Sequence, residues 1–136
     1  MIVLIIVLAV IVWLAILFYG SAYMSSQMFV KAITRLEDKT NILLTFDDGP
    51  HPQHTPHVLD VLRKYNHKAV FFCIASEAEK YPELIHRIVA EGHTIGSHTY
   101  QHSPRTIFYS KKRYLEELQH ADEVFAKIGV KIEYFR

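Results

Sequence analysis

Two short stretches of this sequence carry side chains whose types and spacing could do chemistry. The stretch TFDDGP contains two adjacent carboxylates, Asp47 and Asp48. The stretch SHTYQH contains two histidines, His98 and His102, and a spacing of four puts two imidazoles on one side of a helical turn. Two imidazoles and one carboxylate can bind a divalent metal and leave coordination positions open for water or substrate. Histidine pairs at this spacing also arise by chance, so the prediction of a catalytic metal depends on where the two stretches lie.

The two aspartates are poorly placed for one shared task if they lie on a strand. Adjacent strand residues point to opposite faces, whereas a glycosidase-like pair needs carboxyl groups that face each other across the substrate at roughly 5 Å or more. Two separate tasks fit better: one aspartate joins the histidines on the metal, and the other takes a proton from a water molecule. An alternative is that one carboxylate caps the turn at Gly49-Pro50, which accounts for one aspartate but not for both.

The elements that must position these side chains follow from the pattern after Thr40, where short apolar runs alternate with helical periodicity. This alternation predicts an α/β fold with a parallel sheet. The predicted strands are Ile42–Phe46, Ala69–Ile74, Thr94–Gly96 and Val130–Phe135. The predicted helices start at Thr55-Pro56, at Ser76 with a restart at Pro82 and an end near Gly92, and at Ser110 with an end at Gly129. Both motifs follow strand ends, so we expect them to meet on one rim of the sheet.

Composition narrows the class of protein. The chain has 136 residues, enough for one domain at most, and 15 basic against 14 acidic residues give a net charge of +1. A nucleic-acid-binding protein usually carries a basic surplus, so we predict no nucleic-acid partner. The single cysteine, Cys73, lies in the apolar run AVFFCI, which predicts a buried thiol rather than a reactive one.

The N-terminal segment Ile2–Tyr19 contains no charged residue. At about 1.5 Å per residue it is long enough to cross a bilayer core. We predict an uncleaved transmembrane anchor, because no basic residue precedes the run and it exceeds the usual signal-peptide core of about 7–15 residues. The alternatives are a buried core helix and a signal peptide cleaved near Gly20-Ser21-Ala22. The predicted organisation is an anchor over 1–20, a linker over 21–40 and an α/β domain over 41–136.

The stretches TFDDGP and SHTYQH, together with the terminal YFR, resemble the motifs of the polysaccharide deacetylase family, also called the NodB-homology family. The similarity runs from Ile42 to Arg136 in order. It implies the N-terminal portion of a distorted (β/α)7-type barrel, preceded here by a single transmembrane helix. It also implies metal-dependent hydrolytic removal of N- or O-acetyl groups from a carbohydrate polymer, with peptidoglycan or another GlcNAc polymer as the expected substrate.

The resemblance assigns roles to individual residues. Asp47 matches the catalytic base, and Asp48, His98 and His102 match the metal ligands. Arg136 matches the arginine that opens the third family motif and helps to hold the catalytic aspartate. Zinc is the expected ion for such a set, and Co²⁺, Ni²⁺ and other first-row ions also bind two histidines and an aspartate. The alternatives are a non-catalytic carbohydrate-binding relative and another metal-dependent hydrolase on the same barrel.

Two expectations concern the whole chain. The expected polymer substrate lies outside the cytoplasm, which would place the domain there. By the positive-inside rule, the basic residues after the span would instead place the domain inside; they are Lys31, Arg35 and Lys39. We expect the location of the substrate to decide the orientation. The family's oxyanion donor and the histidine that protonates the leaving amine would lie beyond Arg136. We therefore expect a domain truncated at its C terminus, with weak activity or none, and we expect neither His51 nor His54 to replace the missing acid.

Overall fold

The computed structural model describes residues 1–23, 26–29, 31–34, 36 and 40–136, and it divides into two units, Met1–Ile42 and Leu43–Arg136. Helix α1, Ile2–Ala22, dominates the first unit, with a mean hydropathy of 3.3 over its most apolar window. An anchor and a signal sequence, both considered above, fit a helix of this length and composition. Arg35 and Lys39, which entered the orientation argument, lie outside the described residues.

The second unit is built on a parallel sheet of three strands in the order β1-β2-β3. The strands are β1, Leu44–Gly49; β2, Ala69–Cys73; and β3, Thr94–Ser97. The central strand β2 is almost entirely buried, as its continuous apolar run predicts for a strand covered on both faces. The prediction of an α/β fold with a parallel sheet is confirmed.

Four α-helices and one 3₁₀ turn complete this unit: α2, His54–Lys64; α3, Ala75–Lys80; α4, Pro82–Ala90; the 3₁₀ turn Pro104–Phe108; and α5, Lys111–Ile128. The predicted ends of α5 are confirmed, since the Ser110 hydroxyl accepts the Arg113 N–H at 3.3 Å and Gly129 is left-handed with φ 84°. Helix α2 starts at His54, two residues before Pro56, the predicted first helical residue. The hydroxyl of Thr55 does not cap it but accepts the His51 N–H at 2.8 Å.

The core lies between the sheet and the helices. Its largest fully buried side chains include Leu59 of α2, Ile85 and Ile88 of α4, and Phe125 of α5. Each stabilises the fold by about 1.5–3 kcal/mol relative to an exposed side chain. Cys73 belongs to this core, as predicted, and burial raises the pKa of its thiol to about 12. The thiol therefore stays protonated and acts as a small apolar side chain.

The predicted fourth strand, Val130–Phe135, is wrong as an element. Only Phe135 forms a parallel bridge, and its partner is Ser97 at the end of β3. Before that point, residues of the segment line an open cleft of about 310 Å³ together with Thr94 and Ile95 of β3; they are Val130, Lys131, Glu133 and Tyr134. Hydrogen bonds between neighbouring strands cannot form across this cleft, so most of the segment does not pair with β3 despite its β-type sequence.

Candidate metal centre

The two aspartates lie on a β-bulge within β1, rather than directly after the strand as predicted. Phe46 pairs with Phe71 and Gly49 with Cys73, so three steps along β1 oppose two steps along β2. Asp48 is left-handed, with φ 65°. The simple alternation that the sequence argument used therefore does not hold here. The extra residue and the left-handed turn at Asp48 direct the two carboxylates to different neighbours.

Asp48 faces the two histidines. Its Oδ1 atom lies 3.5 Å from Nε2 of His98 and 3.6 Å from Nε2 of His102. One potential ligand atom from each of the three residues lies within 4.8 Å of the other two. The His98 side chain is 11% exposed, whereas those of His102 and Asp48 are 48% and 67% exposed. The cluster thus has one buried side and one side open to solvent.

The histidines do not lie on a helical turn, and that part of the prediction is wrong. Residues 98–102 form an irregular segment after β3, in which Thr99 and His102 are left-handed with φ 63° and 49°. The Thr99 hydroxyl accepts the His102 N–H at 2.9 Å, which closes the turn locally. The two imidazole rings still stack with their centroids 4.2 Å apart. The spacing of four brings the rings together through this turn instead of through a helix.

The ring of His98 is oriented by the main chain of Arg136. Its Nδ1 lies 2.6 Å from the Arg136 carbonyl oxygen. A carbonyl oxygen can only accept, so Nδ1 carries the proton and donates it. In the neutral imidazole the lone pair is then on Nε2, the atom that faces Asp48. Metal-binding histidines are commonly fixed in this way by a bond from the other ring nitrogen.

These residues fit a divalent metal. A tetrahedral ion about 2.1 Å from nitrogen and oxygen ligands keeps the ligand atoms roughly 3.4 Å apart. The two Nε2–Oδ1 distances of 3.5 and 3.6 Å agree with that spacing. Three ligands with an open side correspond to a catalytic rather than a structural arrangement.

Asp47 contacts Arg136. The Nη1 atom of Arg136 donates to Oδ1 of Asp47 at 3.2 Å, to its Oδ2 at 3.4 Å and to the Thr45 hydroxyl at 3.0 Å. The guanidinium also lies over the Phe72 ring, 4.6 Å from its centroid. Sequence reasoning named Asp47 and Arg136 but missed Thr45. Its position two residues before Asp47, on the same face of a strand, was an available signal.

His51 and His54 form a stacked pair with ring centroids 4.4 Å apart. Nδ1 of His51 accepts the N–H groups of Gln53 and His54 at 3.2 and 3.4 Å. This ring therefore satisfies backbone donors at the start of α2. The observed contacts of the His51 ring are with the backbone of Gln53 and His54 and with the His54 ring.

Comparison with known proteins decides the family. The family model for polysaccharide deacetylases matches residues 35–136. The chain belongs to the polysaccharide deacetylase family. A peptidoglycan-N-acetylglucosamine deacetylase from Bacillus cereus is 40% identical to this family member over 92 residues, which cover 68% of this chain and 33% of that protein.

Two solved structures resemble the deacetylase-family unit. The peptidoglycan deacetylase PdaC from Bacillus subtilis is 37% identical, with a TM-score of 0.66, and the match covers 69% of this chain and 46% of that one. A family 4 acetyl xylan esterase from Clostridium thermocellum, in complex with a cobalt ion, is 34% identical, with a TM-score of 0.63 and the same two shares. The chain thus spans less than half the length of these three relatives.

Proposed function

We propose that this deacetylase-family chain takes part in the hydrolytic removal of acetyl groups from an acetylated polysaccharide. The expected substrate is N-acetylated peptidoglycan or another GlcNAc polymer, and an O-acetylated polymer is the alternative. One observation carries the proposal: a single bulge directs Asp48 toward two histidines and Asp47 toward an arginine. The names of the relatives, which act on peptidoglycan or xylan, support the substrate class.

Asp48, His98 and His102 would hold a divalent metal ion, with zinc expected and cobalt or nickel as alternatives. Such an ion, when bound, acts as a Lewis acid on a carbonyl oxygen and makes water more acidic. The open side of the cluster, at His102 and Asp48, is where substrate would approach. His98 supports the site from the buried side, since its ring is held by the Arg136 carbonyl.

Asp47 would act as the general base. Its carboxylate would accept a proton from the water that attacks the acetyl carbonyl carbon. The bond from that carbon to the sugar nitrogen or oxygen then breaks, and the leaving atom takes up a proton, so that the products are acetate and a free amine or hydroxyl group. Arg136 fixes the position of this carboxylate by contacts to both of its oxygens, and Thr45 in turn accepts a bond from the same guanidinium nitrogen. Asp47 and Asp48 therefore have separate roles, one in proton transfer and one in metal binding.

The proposal extends to the whole protein. The sheet of the second unit would be the first part of a distorted (β/α)7-type barrel within a deacetylase domain over 41–136, with a linker over 21–40. Helix α1 would anchor the protein in a membrane, with the domain on the extracytoplasmic side where peptidoglycan lies. An apolar helix that precedes a polysaccharide deacetylase unit in the sequence supports this arrangement.

The test compares wild type with Asp47→Asn and Asp48→Asn in detergent. Calorimetric titration with Zn²⁺ or Co²⁺ measures metal binding, and acetate release from N-acetylated peptidoglycan measures hydrolysis. We expect weak, chelator-sensitive release from wild type. Asp47→Asn should keep metal affinity and lower the rate by about 10²–10⁴-fold, whereas Asp48→Asn should lose both. If the three proteins release acetate equally, the hydrolase proposal fails. Carbohydrate binding without any release would favour the non-catalytic relative.

A further inference from the structure

The segment between the two histidines, 98–102, has an unfavourable backbone that needs support. Thr99 and His102 are non-glycine residues in the left-handed region, which costs free energy and persists only where surrounding contacts impose it. At its start, the His98 N–H donates to the Cys73 carbonyl of β2 at 2.8 Å. The position of His102, at the other end, depends on the peptides that connect the two ligands.

Two helices hold the peptide between Tyr100 and Gln101 at both of its polar ends. The Ser76 N–H at the start of α3 donates to the Tyr100 carbonyl oxygen at 3.0 Å. On the opposite side of the same peptide, the Gln101 N–H donates to Oε1 of Glu117 on α5 at 2.8 Å. A peptide unit is planar and rigid, so these two bonds fix its orientation directly before His102.

The neighbouring contacts reinforce this arrangement. The Ala75 N–H donates to the Thr99 carbonyl oxygen at 3.0 Å. The Tyr100 ring packs edge-on against His120 of α5, with centroids 4.1 Å apart, and its hydroxyl lies 3.4 Å from a Glu79 oxygen of α3. The segment is therefore held between α3 and α5. Glu117 supplies the side-chain carboxylate that bonds to its main chain.

We propose that Glu117 is a positioning residue for the metal site, a role that rests on the proposed metal binding by Asp48, His98 and His102. It acts through the Tyr100–Gln101 peptide and touches neither the metal nor the substrate. Loss of its carboxylate frees the Gln101 N–H, which lets the left-handed turn relax. Nε2 of His102 then departs from the position 3.6 Å from Asp48 in which both can bind one ion.

The test measures Co²⁺ and Zn²⁺ affinity of the full chain in detergent by calorimetry, with thermal unfolding of the metal-free protein as a second readout. Glu117→Ala should weaken metal binding by about tenfold, which is the lower end of the range of affinity losses caused by removing a residue that orients a metal ligand. Glu117→Gln should stay within about threefold of wild type, since its amide oxygen can also accept the Gln101 N–H. The matched control is Glu116→Ala, the adjacent exposed residue whose ion partner is Lys112.

The outcomes separate the hypotheses. An affinity of Glu117→Ala within twofold of wild type, or an equal loss in Glu116→Ala, overturns the positioning role. Failure of Glu117→Gln to rescue binding also overturns it, as does an affinity loss that merely follows an equal loss of metal-free stability. If wild type binds no metal, the metal site itself is wrong. If wild type binds metal, the inference about Glu117 is decided by affinity alone, whether or not the chain releases acetate.

Discussion

At the scale of single residues, the main feature is how two neighbouring carboxylates come to have different partners. The bulge in β1 inserts one residue, and the left-handed conformation at Asp48 turns its side chain toward the histidines. Asp47 keeps its contact with Arg136. A shared proton between the two aspartates is therefore not needed to explain why both are present, because each has its own neighbours.

Gly96 provides a test of how Arg136 is supported. A Cβ atom at this position would lie 2.5 Å from Cδ1 of Phe72 and 3.1 Å from the Tyr134 carbonyl oxygen. The guanidinium of Arg136 lies over the Phe72 ring. We expect Gly96→Ala to displace the ring, to lower the free energy of unfolding by about 1–3 kcal/mol through overpacking, and to reduce acetate release. Urea unfolding followed by circular dichroism measures the stability change.

A suitable stability control is Gly49→Ala, where the nearest atom to the added methyl group is the Thr55 hydroxyl oxygen at 3.7 Å, an ordinary contact. If Gly96→Ala is as stable as wild type while Gly49→Ala is not, the proposed crowding against Phe72 is wrong.

Some residues of the candidate site could be predicted from the sequence and others could not. His98, His102 and one of the two aspartates were predicted from residue type, spacing and strand ends. The family resemblance chose Asp48, and the structure brings the three side chains together. Asp47 and Arg136 were paired only through the family resemblance. Glu117 was not predicted at all, because nothing in a helical periodicity shows which glutamate will accept a backbone N–H from a segment 16 residues away.

At the scale of elements, His93 links the start of β3 to β2. Its Nδ1 accepts the Ala69 N–H at 3.3 Å, and its Nε2 is buried without a hydrogen-bond partner among the described residues. Burial lowers the pKa of His93 below its usual value of 6.5, and the nearby Lys68 charge lowers it further, while Glu91 opposes them. Protonation would also place a donor on Nδ1 against the Ala69 N–H.

This arrangement predicts a pH-dependent stability. Because the pKa of His93 is lower in the folded than in the unfolded state, the unfolded state binds more protons as pH falls below about 6.5. The contribution of neutral His93 to stability is thus complete above about pH 6.5 and is lost as the pH falls through the pKa of His93 in the folded state. We expect the free energy of unfolding of wild type to fall between pH 7.5 and 5, and His93→Asn to reduce the slope.

The matching control for this pH series is His67→Asn, since His67 is exposed and its ring stacks on Tyr65 with the centroids 6.5 Å apart. Urea titrations at several pH values give both slopes. Equal slopes for wild type and His93→Asn would show that other groups carry the pH dependence.

Local patterns predicted the α/β elements well where burial or caps were strong. The apolar run of β2 and the Ser110 and Gly129 signals of α5 are local features, so they could be read directly. The segment 130–135 failed as a strand because pairing depends on how closely it approaches β3, and only its end does so. The turn at 98–102 failed as a helix because tertiary contacts impose left-handed residues there.

At the scale of the whole molecule, α1 and the deacetylase-family unit are separate units. Helix α1 has no charged residue and no buried side chain, and it is long and apolar enough to cross a bilayer. We expect the full chain to stay in the membrane fraction after carbonate extraction, and a variant without residues 2–22 to move to the soluble fraction. Protease protection of the domain in intact cells would contradict the proposed extracytoplasmic orientation.

Arg136 has a consequence for how the two halves of the site respond to each other. Its guanidinium holds Asp47 and its carbonyl oxygen holds the ring of His98, so one residue joins the proposed base to a proposed metal ligand. Occupancy of the metal site and placement of the base then share a coupling free energy, and linkage requires that coupling to be reciprocal. An ion that orders His98 would therefore favour the working position of Asp47, and a substrate that orders Asp47 would strengthen binding of the ion.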